Sequence, residues 1–308
     1  MALDPIVLLL PFQYEFFLRA IIVSILVGGV CGLLGVYIVL RGMSYIGHGM
    51  SHAVFGGAVA SYIVGFNFYI GAMLWGFVSA FLINEITRRN KIKPDAAIGV
   101  VTTAGFAIGV FLISTTRSYT RNFEALLFGN ILGITDQDLI VILLVTIITS
   151  AFLFFFQKRL LFTLFDKEAA NVYGVRSDVV ELLFSLVLAT VVIASMNSIG
   201  VTLLAAGIVA PAISARMITS NFTKMVLSST IMGVIIAFLG MYSSYYFDSA
   251  SGSTIVLYGA AAFGISSLYA YLRKIYQRHS HGRLVHSHPH THIEEHKHEH
   301  SKKPRTNK

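Results

Sequence analysis

Charge is scarce in this chain. Only 12% of its 308 residues are Asp, Glu, Lys or Arg, whereas 55% are hydrophobic and the mean hydropathy is +0.72. A soluble domain carries about 25% charged residues. Several apolar runs reach the length of about 18 residues that a helix needs to cross a bilayer. The composition therefore excludes an ordinary soluble protein and predicts an all-α polytopic membrane protein.

Cysteine, catalytic motifs and buried acids are also lacking. Cys31 is the single cysteine, so there is neither a disulfide framework nor a thiolate metal site. No GxxxxGK[ST] or HExxH motif occurs, which excludes a P-loop ATPase and a zincin. Glu85 and Glu181 lie at the ends of predicted spans, whereas a proton-coupled antiporter normally needs carboxylates within the membrane. These absences argue against an enzyme, and any transport by this chain must draw its energy from elsewhere.

The apolar runs predict nine membrane spans. Two of them, 45–66 and 199–215, are short and rich in Gly or Ala, and Pro211 predicts a kink or break in the second, so the count falls to about eight if one is re-entrant. The N-terminal residues lack a basic region, and we expect no cleavable signal peptide. The predicted spans are 16–40, 45–66, 68–87, 96–114, 139–156, 179–196, 199–215, 225–247 and 254–272.

Basic residues predict the orientation. Loop 88–93 holds four of them, 157–178 holds another four, and the C-terminal tail is basic. Placing all three inside satisfies the positive-inside rule, with the N-terminus outside and Arg117 and Arg121 in an outer loop. The protein is thus expected in the cell membrane, the plasma or inner membrane, with a cytoplasmic C-terminus.

The net charge of +8 divides the chain in two. Residues 1–272, the predicted transmembrane domain, hold 14 basic and 12 acidic residues (14 − 12 = +2), and residues 273–308 hold nine and three (9 − 3 = +6). We predict that 273–308 is a disordered cytoplasmic tail. Anionic lipid headgroups explain its charge better than nucleic acid does, so we expect membrane lipid, and not nucleic acid, as its partner.

Two histidines lie inside the apolar segment RGMSYIGHGMSHAVFGG, residues 41–57. His48 and His52 are four residues apart, so a helix places them on one face. Paired imidazoles form half of a transition-metal site, and ligating side chains in a membrane commonly mark a transport path. A lone buried histidine is more often structural, but the pair beside Ser51 favours ligation. Further ligands must come from another helix, a symmetry mate, the backbone or water.

The tail holds the remaining nine of the eleven histidines. Their alternation with other residues, near three glutamates, is a compositional signal for metal binding. The irregular interleaving with Ser, Pro and Thr argues against an engineered tag. The tail could buffer or capture metal in the cell, or could be dispensable. These candidate ligands are His279, His281, His286, His288, His290, His292, His296, His298 and His300.

The longest polar interruption, 157–178, alternates apolar with charged positions. This pattern predicts a short amphipathic helix at the cytoplasmic surface. It is either a helix resting on lipid headgroups or a docking element for a cytoplasmic partner. Segment 122–139 has a similar mixed character and is predicted to be a re-entrant or surface helix on the other side.

Several motifs in order along the chain resemble the permease subunits of ABC importers for zinc, manganese and iron(II). They are RGMSYIGHGMSHAVFGG (41–57), KIKPDAAIGVV (91–101), FEALLFGNILGITDQDL (123–139), FDKEAANVYGV (165–175), SIGVTLLAAGIVAPAISA (198–215) and SGSTIVL (251–257). The resemblance extends to about residue 272 and implies that permease fold.

The resemblance also implies partners and roles. It implies a homodimer, cytoplasmic ABC ATPase subunits and an extracellular metal-binding solute-binding protein, with no permanently bound cofactor and a divalent metal as cargo. His52 matches the family's histidine. The segment FDKEAANVYGV matches the family's ATPase-coupling segment, and from it we take Phe165, Asp166, Glu168, Ala169 and Gly174 as coupling residues.

The chain departs from the family at two positions. The family usually has aspartate where this chain has His48, and proline where it has Gly56. Exchanging a carboxylate for an imidazole favours zinc over manganese by ligand softness. Zinc is therefore the predicted cargo, with manganese or iron(II) as the alternative.

Two other functional classes remain open from the residues alone. A secondary transporter of the cation-diffusion type also pairs intramembrane histidines with His-rich segments. The missing intramembrane carboxylates and the segment FDKEAANVYGV count against it. A membrane metalloenzyme is disfavoured because no catalytic base or nucleophile is evident.

Overall fold

Long helices make up almost all of the described chain. The computed structural model describes residues 9–43, 45–90, 92, 94–116, 129 and 133–280. Within these residues a 3-10 turn, Leu10–Gln13, precedes ten α-helices. The helices are α1 (Glu15–Leu40), α2 (Tyr45–Val64), α3 (Phe68–Asn90), α4 (Pro94–Thr116), α5 (Asp136–Phe165), α6 (Lys167–Val172), α7 (Ser177–Ile199), α8 (Val201–Ile218), α9 (Phe222–Phe247) and α10 (Ser251–Ser280).

Each of the nine predicted spans falls on one of the long helices, which confirms the all-α polytopic fold. Seven of them (α1, α3, α4, α5, α7, α9 and α10) are long and apolar enough to cross a membrane. The other two, α2 and α8, are the segments that the sequence marked as short. Neither is broken: α2 is one helix of 20 residues, and α8 continues through Pro211. Contacts of α8 with α1, α2, α9 and α10 hold it at the centre of the bundle.

Two boundaries differ from the prediction. Helix α5 continues to Phe165, so residues 157–165 are its last turns rather than part of a separate surface helix. At 30 residues, α5 is about 45 Å long, which exceeds the hydrocarbon thickness of about 30 Å, and its end therefore projects beyond the apolar layer. Helix α10 likewise continues to Ser280, past the predicted boundary at 272. Most of segment 122–139 lies outside the described residues.

The two ends of the bundle differ in chemistry. We call one the basic end, because most of the described cations lie there. Helices α1, α3, α5 and α8 finish at this end, where Arg216 Nη1 donates to Val39 O at 3.0 Å. The other, the aromatic end, holds ring contacts such as Phe12 with Tyr242 and Tyr14 with Tyr245. Its single cation among the described residues is Arg19, which pairs with Glu15 and Asp136. The described cations of the basic end are Arg41, Arg88, Lys158, Arg159, Lys167, Arg176, Arg216, Lys224, Arg273 and Lys274.

The core depends on close helix contact between α1 and α9. A Cβ added at Gly28 would lie 2.4 Å from Gly233 O, so the two backbones touch. Beside them, Ser229 Oγ donates to Gly32 O at 2.6 Å. Lipid supplies no hydrophobic force between helices, so this packing and hydrogen bonding hold the pair together.

Gly28→Ala should therefore destabilise the purified protein, because the new methyl group overlaps a backbone carbonyl that cannot move aside. Overpacking of this kind costs about 1–3 kcal/mol, and we expect the melting temperature to fall by several degrees. Gly264→Ala is the matched control, since its Cβ meets nothing within 4 Å. The control should melt at or slightly above wild type because alanine favours the helix. Equal melting temperatures for the two variants would contradict this packing.

Candidate functional site

His48 and His52 face each other along α2. Their Nε2 atoms are 3.1 Å apart, and the rings cross almost at right angles (85°) with centroids separated by 4.4 Å. The helix places them there because they occupy successive turns of one face. Ser51 lies on another face, where its hydroxyl donates to Gly47 O at 2.8 Å, so it does not join the pair.

The spacing of the two nitrogens suits one shared cation. With metal–nitrogen bonds of about 2.0–2.1 Å, as in zinc sites, a separation of 3.1 Å corresponds to a nitrogen–metal–nitrogen angle of about 100°. That angle is close to tetrahedral. The distance therefore allows one ion to bind both rings, provided that both Nε2 atoms are unprotonated and turn their lone pairs toward it.

Helix α4 forms the opposite wall of the site. A Cβ at Gly49 would lie 2.5 Å from Ile98 Cγ2, and one at Gly56 only 2.1 Å from Gly105 O. This contact leaves a cavity of about 540 Å³ that opens on the outer surface of the bundle. It is lined by Tyr45, His48, Gly49, His52, Asp95, Ile98, Gly99, Thr102, Thr103 and Phe106.

Phe106 orients the deeper imidazole. Its ring meets that of His52 edge-on, at 77° and 4.8 Å between centroids, and also packs against Phe55 at 5.3 Å. His52 Nδ1 is buried and has no hydrogen-bond partner within the described part of the chain. Packing against Phe106 and the contact with His48 Nε2 therefore set the direction in which His52 Nε2 points.

The described part of the chain supplies few metal ligands. No set of three or more His, Cys, Asp or Glu side chains able to hold a metal occurs within the described ranges. His48 and His52 lie side by side, as their spacing predicts, whereas Asp95 and Phe106 line the same cavity without having been predicted. Asp95 was visible only as part of the motif KIKPDAAIGVV, with no signal that α4 lies beside α2.

The candidate coupling residues form the turn of chain that includes α6. Asp166 caps α6, because its Oδ1 accepts a hydrogen bond from Ala169 N at 2.8 Å. Gly174 ends the turn with a φ of +81°, a conformation that other residues rarely adopt. Glu168 is exposed, and three large apolar side chains project here: Phe165, Val172 and Tyr173, at 76%, 85% and 79% exposure.

Ion pairs attach this turn to α7. Lys167 Nζ lies 2.8 Å from Glu181 Oε2 and 3.0 Å from Asp178 Oδ1, and Asn171 Oδ1 accepts from Ser177 N at 3.1 Å. Partial burial lowers the pKa of Lys167, but the hydrogen bonds to both carboxylates outweigh that effect and raise it. The lysine therefore stays charged and links α6 to the start of α7.

The histidine tail lies mostly outside the described residues. The backbone of His279 belongs to the last turn of α10. His281, His286, His288, His290, His292, His296, His298 and His300 lie outside the described ranges, and metal binding by the tail stays a prediction.

Comparison with known proteins agrees with this architecture. The ABC 3 transport family matches residues 13–270. The manganese transport system membrane protein of Listeria monocytogenes is 36% identical over 258 residues, which cover 84% of this chain and 92% of that protein. A Haemophilus influenzae protein named "probable iron transport system membrane protein" is 33% identical over 263 residues, covering 85% and 93%.

A solved structure extends the match to three dimensions. It is PsaBC from Streptococcus pneumoniae in complex with Fab, which superposes with a TM-score of 0.77 at 34% identity and covers 85% of this chain and 95% of that one. The family match spans more than half of the chain, and the named relatives are membrane subunits of metal transport systems. The chain therefore belongs to the ABC 3 transport family and is a multi-pass permease of the metal-importer type.

Proposed function

We propose that this permease imports a divalent transition-metal ion, with ATP hydrolysed by a partner subunit. The path is the cavity between α2 and α4 that His48 and His52 line, called the groove below. The observation that carries the proposal is the 3.1 Å approach of the His48 and His52 Nε2 atoms inside a bilayer-spanning bundle. Family membership argues against the cation-diffusion transporter and the metalloenzyme as alternatives.

The basic end is proposed to face the cytoplasm and to bind the ATPase. The concentration of cations there follows the positive-inside rule. The exposed side chains of Phe165, Val172 and Tyr173 form an apolar patch at this end. Patches of this kind mark protein contacts, and α6 is the segment that resembles the family's coupling element. The aromatic end would then face outward, toward a solute-binding protein.

Cysteine labelling tests the orientation and the docking together. Val172→Cys, in a Cys31→Ala background, should resist a membrane-impermeant maleimide in intact cells, react after permeabilisation, and be protected when the ATPase is bound. Phe247→Cys is the matched control: it is 74% exposed at the aromatic end and should react in intact cells. Reaction of Val172→Cys in intact cells would reverse the orientation, and absence of protection would remove the docking assignment.

A second copy of the chain is proposed to cover the groove. His48 and Asp95 are exposed on the outside of a single bundle, although a polar cleft facing lipid is costly. Two imidazoles also leave a tetrahedral site half complete. A homodimer joined across this face would shield the groove and bring a second His48/His52 pair to the ion.

Cross-linking can test this interface. Thr103 lines the groove on α4 and is exposed, so the partner should cover it. In membranes, Thr103→Cys should give a dimer with a short bis-maleimide, whereas Phe154→Cys, 74% exposed on α5, should remain monomeric. Cross-linking of the second variant alone would place the interface on another face.

The cargo is proposed to be a divalent first-row metal, with His48 shifting preference toward zinc. The relatives are named for manganese and iron. An imidazole in place of the aspartate usual in the family nevertheless exchanges an oxygen donor for a nitrogen donor, which suits zinc better than manganese.

Uptake of radioactive zinc, manganese and iron by cells lacking their own importers measures both roles. His52→Ala should reduce transport of every metal by at least about tenfold, the scale on which metal-site substitutions act, because the site loses one of two ligands. His48→Asp should keep transport and move preference from zinc toward manganese. Both substitutions should have the same effects on uptake in a chain from which residues 281–308 are deleted.

Expression and size-exclusion profiles equal to wild type are the control for both variants. Normal uptake by His52→Ala would make the pair structural and move the path elsewhere. An unchanged zinc-to-manganese ratio in His48→Asp would refute the softness argument while leaving the path intact.

A further inference from the structure

We propose that Asp95 forms a second binding site for the transported ion, called here the second station, one helical turn from the histidine pair toward the basic end. The proposal rests on the function proposed above and extends it. It gives the ion an oxygen ligand as it leaves the histidine pair toward the basic end. It starts from one observation: Asp95 lines the same cavity as His48 and His52.

The register of α2 and α4 places the three side chains in order. Gly49 is level with Ile98 and Thr102, and Gly56 with Gly105, so the two helices run in the same direction from the basic end. Asp95 precedes the level of His48 by about one turn, or about 6 Å along the axis. His52 is the deepest of the three, His48 is next, and Asp95 stands at the mouth.

The distance explains why Asp95 is a separate station. It does not form a three-residue metal cluster with the two histidines within the described chain. An ion held by His48 can instead pass to Asp95 in one short step. Conduction through a pore requires several weak sites that hand the ion on, rather than one tight site that retains it.

Charge gives the carboxylate its role. Asp95 is the one formally charged residue among those lining the cavity. A carboxylate at the mouth of the cavity attracts a divalent cation, and its oxygens are ligands that manganese prefers more strongly than zinc does.

Asp95 also lies in the first turn of α4, where any acidic residue stabilises the helix dipole. This stabilisation of α4 does not depend on which metal is transported. A change in the ratio of manganese to zinc transport therefore separates an ion station from a helix-stabilising residue.

The test measures initial uptake of radioactive manganese and zinc in importer-deficient cells that express the complete transporter. Asp95→Asn should lower manganese uptake by about tenfold, as expected for a lost metal ligand, and zinc uptake clearly less. Asp95→Glu should restore most of the manganese uptake because it keeps the carboxylate. Asp136→Asn is the matched control, since Asp136 lies in the first turn of α5 at the aromatic end, and both metals should stay within twofold of wild type.

Each result has a defined meaning. Equal losses of manganese and zinc, without rescue by Asp95→Glu, would make Asp95 structural and overturn the proposal. Normal uptake of both metals by Asp95→Asn would do the same. His52→Ala in the same assay separates the two proposals: if it transports normally, the groove is not the path and the proposed function itself fails. If only Asp95→Asn is normal, the histidine path stands and the second station falls.

Discussion

Close contact between α2 and α4 is the constraint on which the site depends. At Gly56 and Gly105 the two backbones touch, because a Cβ on the first would lie 2.1 Å from the carbonyl oxygen of the second. A larger side chain at Gly56 would push the helices apart. The histidines would then lie on a wide surface rather than in a cleft, and Asp95 would lose its place in their cavity. Small residues thus act on the chemistry of the site although they bind nothing.

Packed contacts also connect the basic end with α2, the helix that carries the histidines. Lys167 holds α6 to α7 through Glu181, and α7 in turn packs against α2 and α3. The Arg41 guanidinium lies 4.6 Å from the centre of the Phe184 ring, so the connection before α2 also rests on α7. A displacement of α6 would reach the histidine helix through these contacts. The support for this route is that the helices pack against one another without a gap. Coupling between α6 and the histidines of α2 stays part of the proposed mechanism.

The helices were predictable from the sequence because lipid leaves only one solution to an apolar run, an internally hydrogen-bonded helix. The pairing of His48 with His52 was predictable for a similar reason, since helix geometry alone brings residues four apart together. Asp95 was not, because its position depends on which helix neighbours α2, and that is set by long-range packing of small residues. The ends of α5 and α10 were also misjudged, since charged turns such as that around Lys158 stay helical once they are anchored to a long apolar helix.

An incomplete ligand set is consistent with transport rather than storage. A structural zinc site closes four ligands around the ion and becomes part of the fold. Here the described chain presents two imidazoles 3.1 Å apart, one carboxylate about a turn away, and an open cleft. A second protomer could complete the shell, but only as long as the two copies hold their faces together. In the proposed homodimer, separation of those faces would remove half of the ligands at once, so the same interface would both bind the ion and release it.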